Sequence, residues 1–167
     1  QPDFVFGLTN NFSWKGFDLN IFIQGSYGND IFNATRIDLE GMFDSKNQSV
    51  AVLNRWTPDN RITDIPRAIG NGNVQNVLNS TRFIEDGSYV RVKSVTLAYN
   101  FTGNWLKKAG FSNLRLYTTG QNLFTLTGYS GYDPEVNAFG RSATELGIDY
   151  GTYPHSMVVT MGIKADL

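Results

Sequence analysis

Phe4-Val5-Phe6-Gly7-Leu8-Thr9-Asn10-Asn11-Phe12-Ser13-Trp14 puts Phe, Phe, Leu, Phe and Trp on even positions, broken only by Asn10, and Val, Gly, Thr, Asn and Ser on odd ones. A period of two is the signature of a β-strand with one apolar face. After the short turn Lys15-Gly16 the alternation resumes with Phe17, Leu19, Ile21, Ile23 and Tyr27 against Asp18, Asn20, Gln24 and Ser26. Two such runs around a two-residue turn predict a β-hairpin over about 4–14 and 17–27.

Working outward, the same period recurs over 88–101, 113–126 and 156–167. In the first of these, Val95, Leu97, Tyr99 and Phe101 alternate against Ser94, Thr96, Ala98 and Asn100, whereas Val90 and Val92 are apolar on the other parity. The change of parity near Lys93-Ser94 predicts a β-bulge. Leu114, Leu116, Phe124 and Leu126 mark one side of the next strand, and Met157 to Leu167 alternate to the end of the chain.

The connections differ in length. Lys15-Gly16 and 102–112 are short, with Asn104 placed to cap a turn holding Trp105, Leu106 and Lys107. Residues 28–86 and 127–154 are long and rich in Gly, Asn, Asp and Tyr. Within the first long segment, Ser45-x-x-Gln48 has the form of a capping box ahead of a short helix through Val50, Val52, Leu53 and Trp56, ending near Pro58. Short turns alternating with long loops, and strands of roughly 9–11 residues, are the asymmetry of a membrane-spanning barrel. Trp14, Phe17, Phe101 and Trp105 near the short turns, with Phe4, Tyr27, Tyr89 and Phe124 at the other ends, form two candidate aromatic girdles. The fold expected is all-β, a transmembrane antiparallel β-barrel. A soluble sandwich or lipocalin-like barrel would show the same periodicity with its apolar face inside.

Composition narrows function. Lys and Arg total 14 against 15 Asp and Glu, a net charge of −1, so no basic footprint points to nucleic acid. Cysteine is absent, which removes thiolate metal sites, disulfides and thiol nucleophiles. The chain starts at Gln1 with no initiator Met, signal peptide or lipidated Cys, and reads as part of something longer.

Three stretches carry a family resemblance. They are Asn54-Arg55-Trp56-Thr57-Pro58; Arg82-Phe83-Ile84-Glu85-Asp86-Gly87-Ser88-Tyr89 continuing to Phe101; and Gly120-Gln121-Asn122-Leu123-Phe124-Thr125 leading into Gly131-Tyr132-Asp133-Pro134-Glu135. With Tyr150-Gly151-Thr152-Tyr153-Pro154, they resemble the end of SusC/RagA-type TonB-dependent receptors. The resemblance implies the last five strands of a plugged barrel of about 22 strands. It also implies nutrient import, of glycan or peptide, across a bacterial outer membrane. The implied partners are a SusD-like surface lipoprotein, TonB through an N-terminal part outside this chain, the remainder of the barrel, and outer-membrane lipid. A passive porin and a soluble carbohydrate-binding β-domain are the competing functions. The terminal Leu167 departs from the aromatic residue with which such barrels often end.

No catalytic residue, metal site or cofactor is expected. His155, the single histidine, has no triad or metal-ligand spacing around it. Glu85-Asp86-Gly87 and Asp133-Pro134 are turn sequences rather than paired glycosidase carboxylates, and Gly70-Asn71-Gly72 lacks the strand and helix of a phosphate loop. Trp56, Tyr129, Tyr132 and Tyr153, on the long segments, are the candidate ligand or partner contacts, because flat rings stack on sugar faces or pack against a partner.

Overall fold

A computed structural model describes residues 1–69, 74–138 and 146–167. Gly70-Asn71-Gly72 lies outside the described residues. The chain divides into two compact units, one of residues 1–29, 88–128 and 154–167 and the other of residues 30–87 and 129–153.

The first unit is a five-stranded antiparallel sheet. Strands β1 (Phe4–Trp14) and β2 (Phe17–Tyr27) pair with Trp14 opposite Phe17. Lys15 and Gly16 both take positive φ, 46° and 88°, the geometry that lets a two-residue turn follow the strand twist. Counting on from a short strand β3 (Asp30–Asn33) and β4 (Ile84–Asp86), both in the second unit, the sheet continues with β5 (Tyr89–Phe101) and β6 (Asn113–Thr127). Beyond β7 (Ile148–Asp149), again in the second unit, β8 (Val158–Asp166) completes it, in the order β1-β2-β5-β6-β8.

The bulge is present. Phe22 pairs with Ser94 and Ile23 with Val92, so Lys93 is the extra residue against β2. On the other side Val92 faces Phe124 and Ser94 faces Gln121, so Asn122 and Leu123 together oppose Lys93. This double irregularity brings Val90 and Val92 onto the face carrying Val95, Leu97 and Tyr99 despite their different parity. That face continues through Leu116 and Ile163 and is uncovered: Phe12, Leu97 and Met161 are 58%, 44% and 78% exposed. The opposite face carries a polar ladder in which Asn20 donates to Asn11, Asp18 accepts from Ser13 and Asn100 at 2.7 Å each, and Thr96 meets Thr119 at 2.9 Å.

The second unit holds a mixed three-stranded sheet, with β3 between antiparallel β4 and parallel β7. Helix α1 (Thr35–Glu40) follows β3 directly, and 3-10 turns occupy Val50–Asn54, Val74–Val77 and Thr81–Phe83. Ile31 is fully buried and clusters with Tyr129 and Val136. The long segments, expected as loops, thus contribute regular elements.

The expectation of an all-β transmembrane barrel is corrected. The chain forms two open sheets with short helices, a mixed α+β fold. Within the first sheet β1 and β8 stand at opposite edges and do not pair, whereas closure requires the end strands to meet at a consistent tilt and register. Alternation reports strands and faces but reads identically in an open and a closed sheet, so it could not specify closure. The reading of the chain as a barrel segment falls with it. No described helix is long and apolar enough to cross a membrane.

Two smaller expectations also change. The capping box does not form, because Gln48 Oε1 accepts from Met42 N, and Ser49 instead caps the turn by accepting from Ala51 N at 3.2 Å. Helix α2 (Asn104–Lys108) starts behind Gly103, at φ 139°, with no side-chain cap from Asn104.

Candidate functional site

The second unit carries a cleft of about 330 Å³, bordered by Asn33, Arg36, Glu40, Ser130, Tyr132 and Asp149 among others. Its geometry starts at β3. Alternation turns Ile31 and Asn33 to the buried side, so the strand that anchors the core also delivers an amide to the cleft wall. One turn of α1 later, Arg36 and Glu40 share a helix face at i,i+4 spacing and meet at 2.9 Å.

The charges pair with one another, although Arg82 Nε is buried without a hydrogen-bond partner among the described residues. Arg36 donates to both oxygens of Glu40, and its Nη1 reaches Glu85 Oε1 at 2.9 Å. Arg82 also donates to Glu40. Glu85 in turn accepts from Ser130 N and Oγ, each at 2.9 Å, and from Asn33 Nδ2 at 3.1 Å. Burial pushes the Glu85 carboxyl up, but these hydrogen bonds outweigh it and hold the group below the ordinary carboxylate range. Hydrogen bonds to Glu40 hold the Arg36 guanidinium above its ordinary value against partial burial. Asn33 Oδ1 is buried without a hydrogen-bond partner among the described residues.

β7 supplies the remaining wall. Asp149 pairs in register with Asn33 and is 4% exposed. It accepts from Tyr129 Oη at 2.6 Å and from Thr152 N at 3.1 Å. Burial first, then Asp149, pushes the Tyr129 phenol well up, so it stays a neutral donor. Gly131 is required beside it: a Cβ there would stand 2.4 Å from the Tyr129 ring.

The four expected aromatic contacts fall into different settings. Tyr132 borders the cleft and is 84% exposed, while Tyr129 is buried and committed to Asp149. Trp56 is half-buried, its backbone N–H bound to Ile65 O, and Tyr153 is 84% exposed; neither borders the cleft. Glu85 is a strut of the ion network, and Asp133 accepts from Glu135 N in a local turn. His155 Nδ1 lies 3.4 Å from Arg91 Nη1 in the first unit. Sequence reasoning missed Asn33, Arg36, Glu40 and Asp149. The i,i+4 spacing of Arg36 and Glu40 is the signal by which the sequence could have offered that pair. The others are joined across long separations, 97 residues between Asn33 and Ser130.

The cleft therefore offers polar groups beside one exposed ring, that of Tyr132. Comparison with known proteins gives it a context. The chain is similar over nearly its whole length to TonB-dependent receptors. It is 40% identical over 167 residues, 98% of its length, to TonB-dependent receptor P3 of Formosa agariphila, and 27% identical over 97% of its length to TonB-dependent receptor SusC of Bacteroides thetaiotaomicron. The fold matches the RagAB peptide importer in its closed-closed state with a TM-score of 0.83, 27% identity and 99% of the chain covered. The chain spans only 16%, 15% and 17% of these proteins. No protein-family model matches it. These relatives are named as TonB-dependent receptors and a peptide importer. The resemblance read from the sequence thus keeps its receptor relatives and loses the barrel.

Proposed function

We propose that this chain serves as part of a TonB-dependent receptor importing a glycan or peptide nutrient across the bacterial outer membrane, in company with a SusD-like surface lipoprotein. In this reading the second unit faces the outside and its cleft meets the imported ligand, with Tyr132 and Tyr153 as exposed contacts and Trp56 and Tyr129 supporting the same unit. The observation that carries it is the likeness to receptors and importers over 97–99% of the chain. An open cleft with a buried hydrogen-bonded floor and an exposed ring suits reversible ligand contact.

The test is uptake in cells. Deleting the gene should abolish growth on one oligosaccharide or peptide source, and loss of TonB should have the same effect. A deletion within 28–86 that leaves the first sheet assembled should lower uptake or release the lipoprotein from the purified receptor. Uptake that persists without TonB would replace active import by passive diffusion, and wild-type uptake with wild-type lipoprotein retention in the deletion variant would remove the second unit from the process.

A further inference from the structure

The first unit is positively charged although the chain as a whole is not. It carries seven Lys and Arg against three aspartates and no glutamate, within a chain of net charge −1. Two of those aspartates are engaged: Asp18 accepts from Ser13 and Asn100 and pairs with Arg115, and Asp166 accepts from Asn113. Three of the cations gather at one end of the sheet. Lys15 lies in the β1–β2 turn, and Lys107 and Lys108 close α2, the connection from β5 to β6. Strands β2 and β5 are neighbours, and Asn100 N donates to Gly16 O at 2.8 Å, so turn and helix share this end. All three lysines are exposed, and none is held by a carboxylate among the described residues.

The same end of the apolar face is aromatic. Register puts Trp14, Phe17 and Tyr99 in one row across β1, β2 and β5, with the Phe17 and Tyr99 rings 4.6 Å apart. Tyr99 meets Phe101 edge-on at 4.8 Å, and Phe101 meets Trp105 of α2 at 6.2 Å. Trp14 and Trp105 remain 69% and 53% exposed, and Lys15 Nζ stands 4.9 Å over the Trp14 ring. At the other end Phe4 stacks on Tyr27, but the exposed side-chain charge beside them is negative, that of Asp3. Exposed indoles at the margin of an apolar surface, with lysines just beyond, suit an anionic lipid surface. The ring bodies rest against acyl carbon while ammonium and N–H groups meet headgroup phosphate.

We infer that this rim, formed by Trp14, Lys15, Trp105, Lys107 and Lys108, is a docking site for anionic lipid headgroups. Headgroup contact of this kind requires no strand to cross a bilayer. The occupant follows from charge and from what lies next to it. An acidic protein segment or a nucleic acid would satisfy the lysines yet leave the adjoining apolar surface, Leu97, Leu116 and Ile163, in water. A lipid meets both, phosphate at the lysines and hydrocarbon beside them. Each lysine near an anionic surface contributes roughly fivefold in affinity, and the contribution falls as salt screens it.

The experiment titrates the purified full-length protein carrying this chain, in a non-ionic detergent, with dioctanoylphosphatidylglycerol and separately with dioctanoylphosphatidylcholine. Native mass spectrometry counts the lipid retained. Wild type should hold the glycerol lipid in preference to the choline lipid, and rising ammonium acetate should weaken that preference. Lys15→Gln, Lys107→Gln and Lys108→Gln together should lower affinity for the glycerol lipid about tenfold, while Lys→Arg at the same three positions retains it. Lys46→Gln, Arg61→Gln and Arg67→Gln together remove three exposed positive charges from the second unit and should leave binding unchanged. All of these are surface substitutions with little effect on folding. Inorganic phosphate and hexaglutamate at the lipid's concentration should not displace it. Equal retention of the two lipids, wild-type affinity in the triple glutamine variant of the rim, or equal losses in the rim and second-unit variants would each overturn the inference. Displacement by phosphate would replace the lipid with a free anion, displacement by hexaglutamate would replace it with an acidic protein segment, and either would overturn it too.

Discussion

Glu40 accepts from two guanidinium groups while only 6% exposed, which makes it the residue whose loss the second unit should feel most. Glu40→Ala leaves Arg36 and Arg82 beside each other with no shared counter-charge. Breaking a buried pair from one side costs about 3–5 kcal/mol, and since both arginines keep some solvent contact, a loss of about 2–3 kcal/mol is expected. Urea unfolding followed by Trp56, the single tryptophan of this unit, in a background with Trp14 and Trp105 changed to Phe, would measure it. A change below about 0.5 kcal/mol, the range of ordinary surface substitutions, would show that the network is ornamental. Glu85 adds a pH dependence. Its folded-state carboxyl lies below the ordinary value of 4.5, so its stabilisation is complete above that value and is lost as pH falls through the folded one. Glu85→Gln should therefore flatten the acid limb of the stability profile below about pH 4.5 while lowering stability at neutral pH. An unchanged acid limb would assign that limb to other carboxylates.

At the scale of elements, the bulge between β5 and β6 depends on Asn122, which takes a left-handed φ of 51° and donates from Nδ2 to Ser156 O at 3.1 Å. Asn is among the few residues that adopt this conformation readily, and a β-branched residue does not. Asn122→Val should cost about 1–2 kcal/mol, whereas Asn122→Gly should lose only the hydrogen bond to Ser156. Thermal unfolding of the two variants distinguishes them, and equal melting shifts would mean that the backbone at Asn122 relaxes. The parity change was legible in the sequence because Val90 and Val92 conflict with Val95 and Leu97. That two β6 residues answer Lys93 was not, since Gly120-Gln121-Asn122 reads only as a weak stretch of strand. The capping box failed for a related reason: Gln48 accepts from Met42 N instead of reaching back to a cap.

At the scale of the molecule, the first sheet exposes an apolar face and leaves the outer edges of β1 and β8 unpaired within it. Uncovered apolar area and free strand edges both promote association. The 167-residue chain, produced by itself in aqueous buffer, should self-associate, and Phe12→Lys with Met161→Lys should shift it toward monomer in analytical ultracentrifugation. A wild-type chain that stays monomeric at tens of micromolar would show that this face is protected in solution.

Side-chain alternation is local, so residues 4–14, 17–27 and 88–101 by themselves determined that strands form, where they turn and which face is apolar. The Lys15-Gly16 turn set the β1–β2 register, because two residues at positive φ leave one way to pair Trp14 with Phe17. Closure is not a local property. It depends on how many strands meet and whether the end strands find each other, and only the tertiary structure could show an open sheet. The cleft was illegible for the same reason. Asn33 with Arg36, Glu85, Ser130 and Asp149 belong to four separate stretches of chain, and, the Arg36–Glu40 spacing aside, none carries a pattern that names its partners. Burial made those partnerships obligatory, since a charge or amide taken from water must be met by another group, and which group is decided only when the folded backbone brings it within reach.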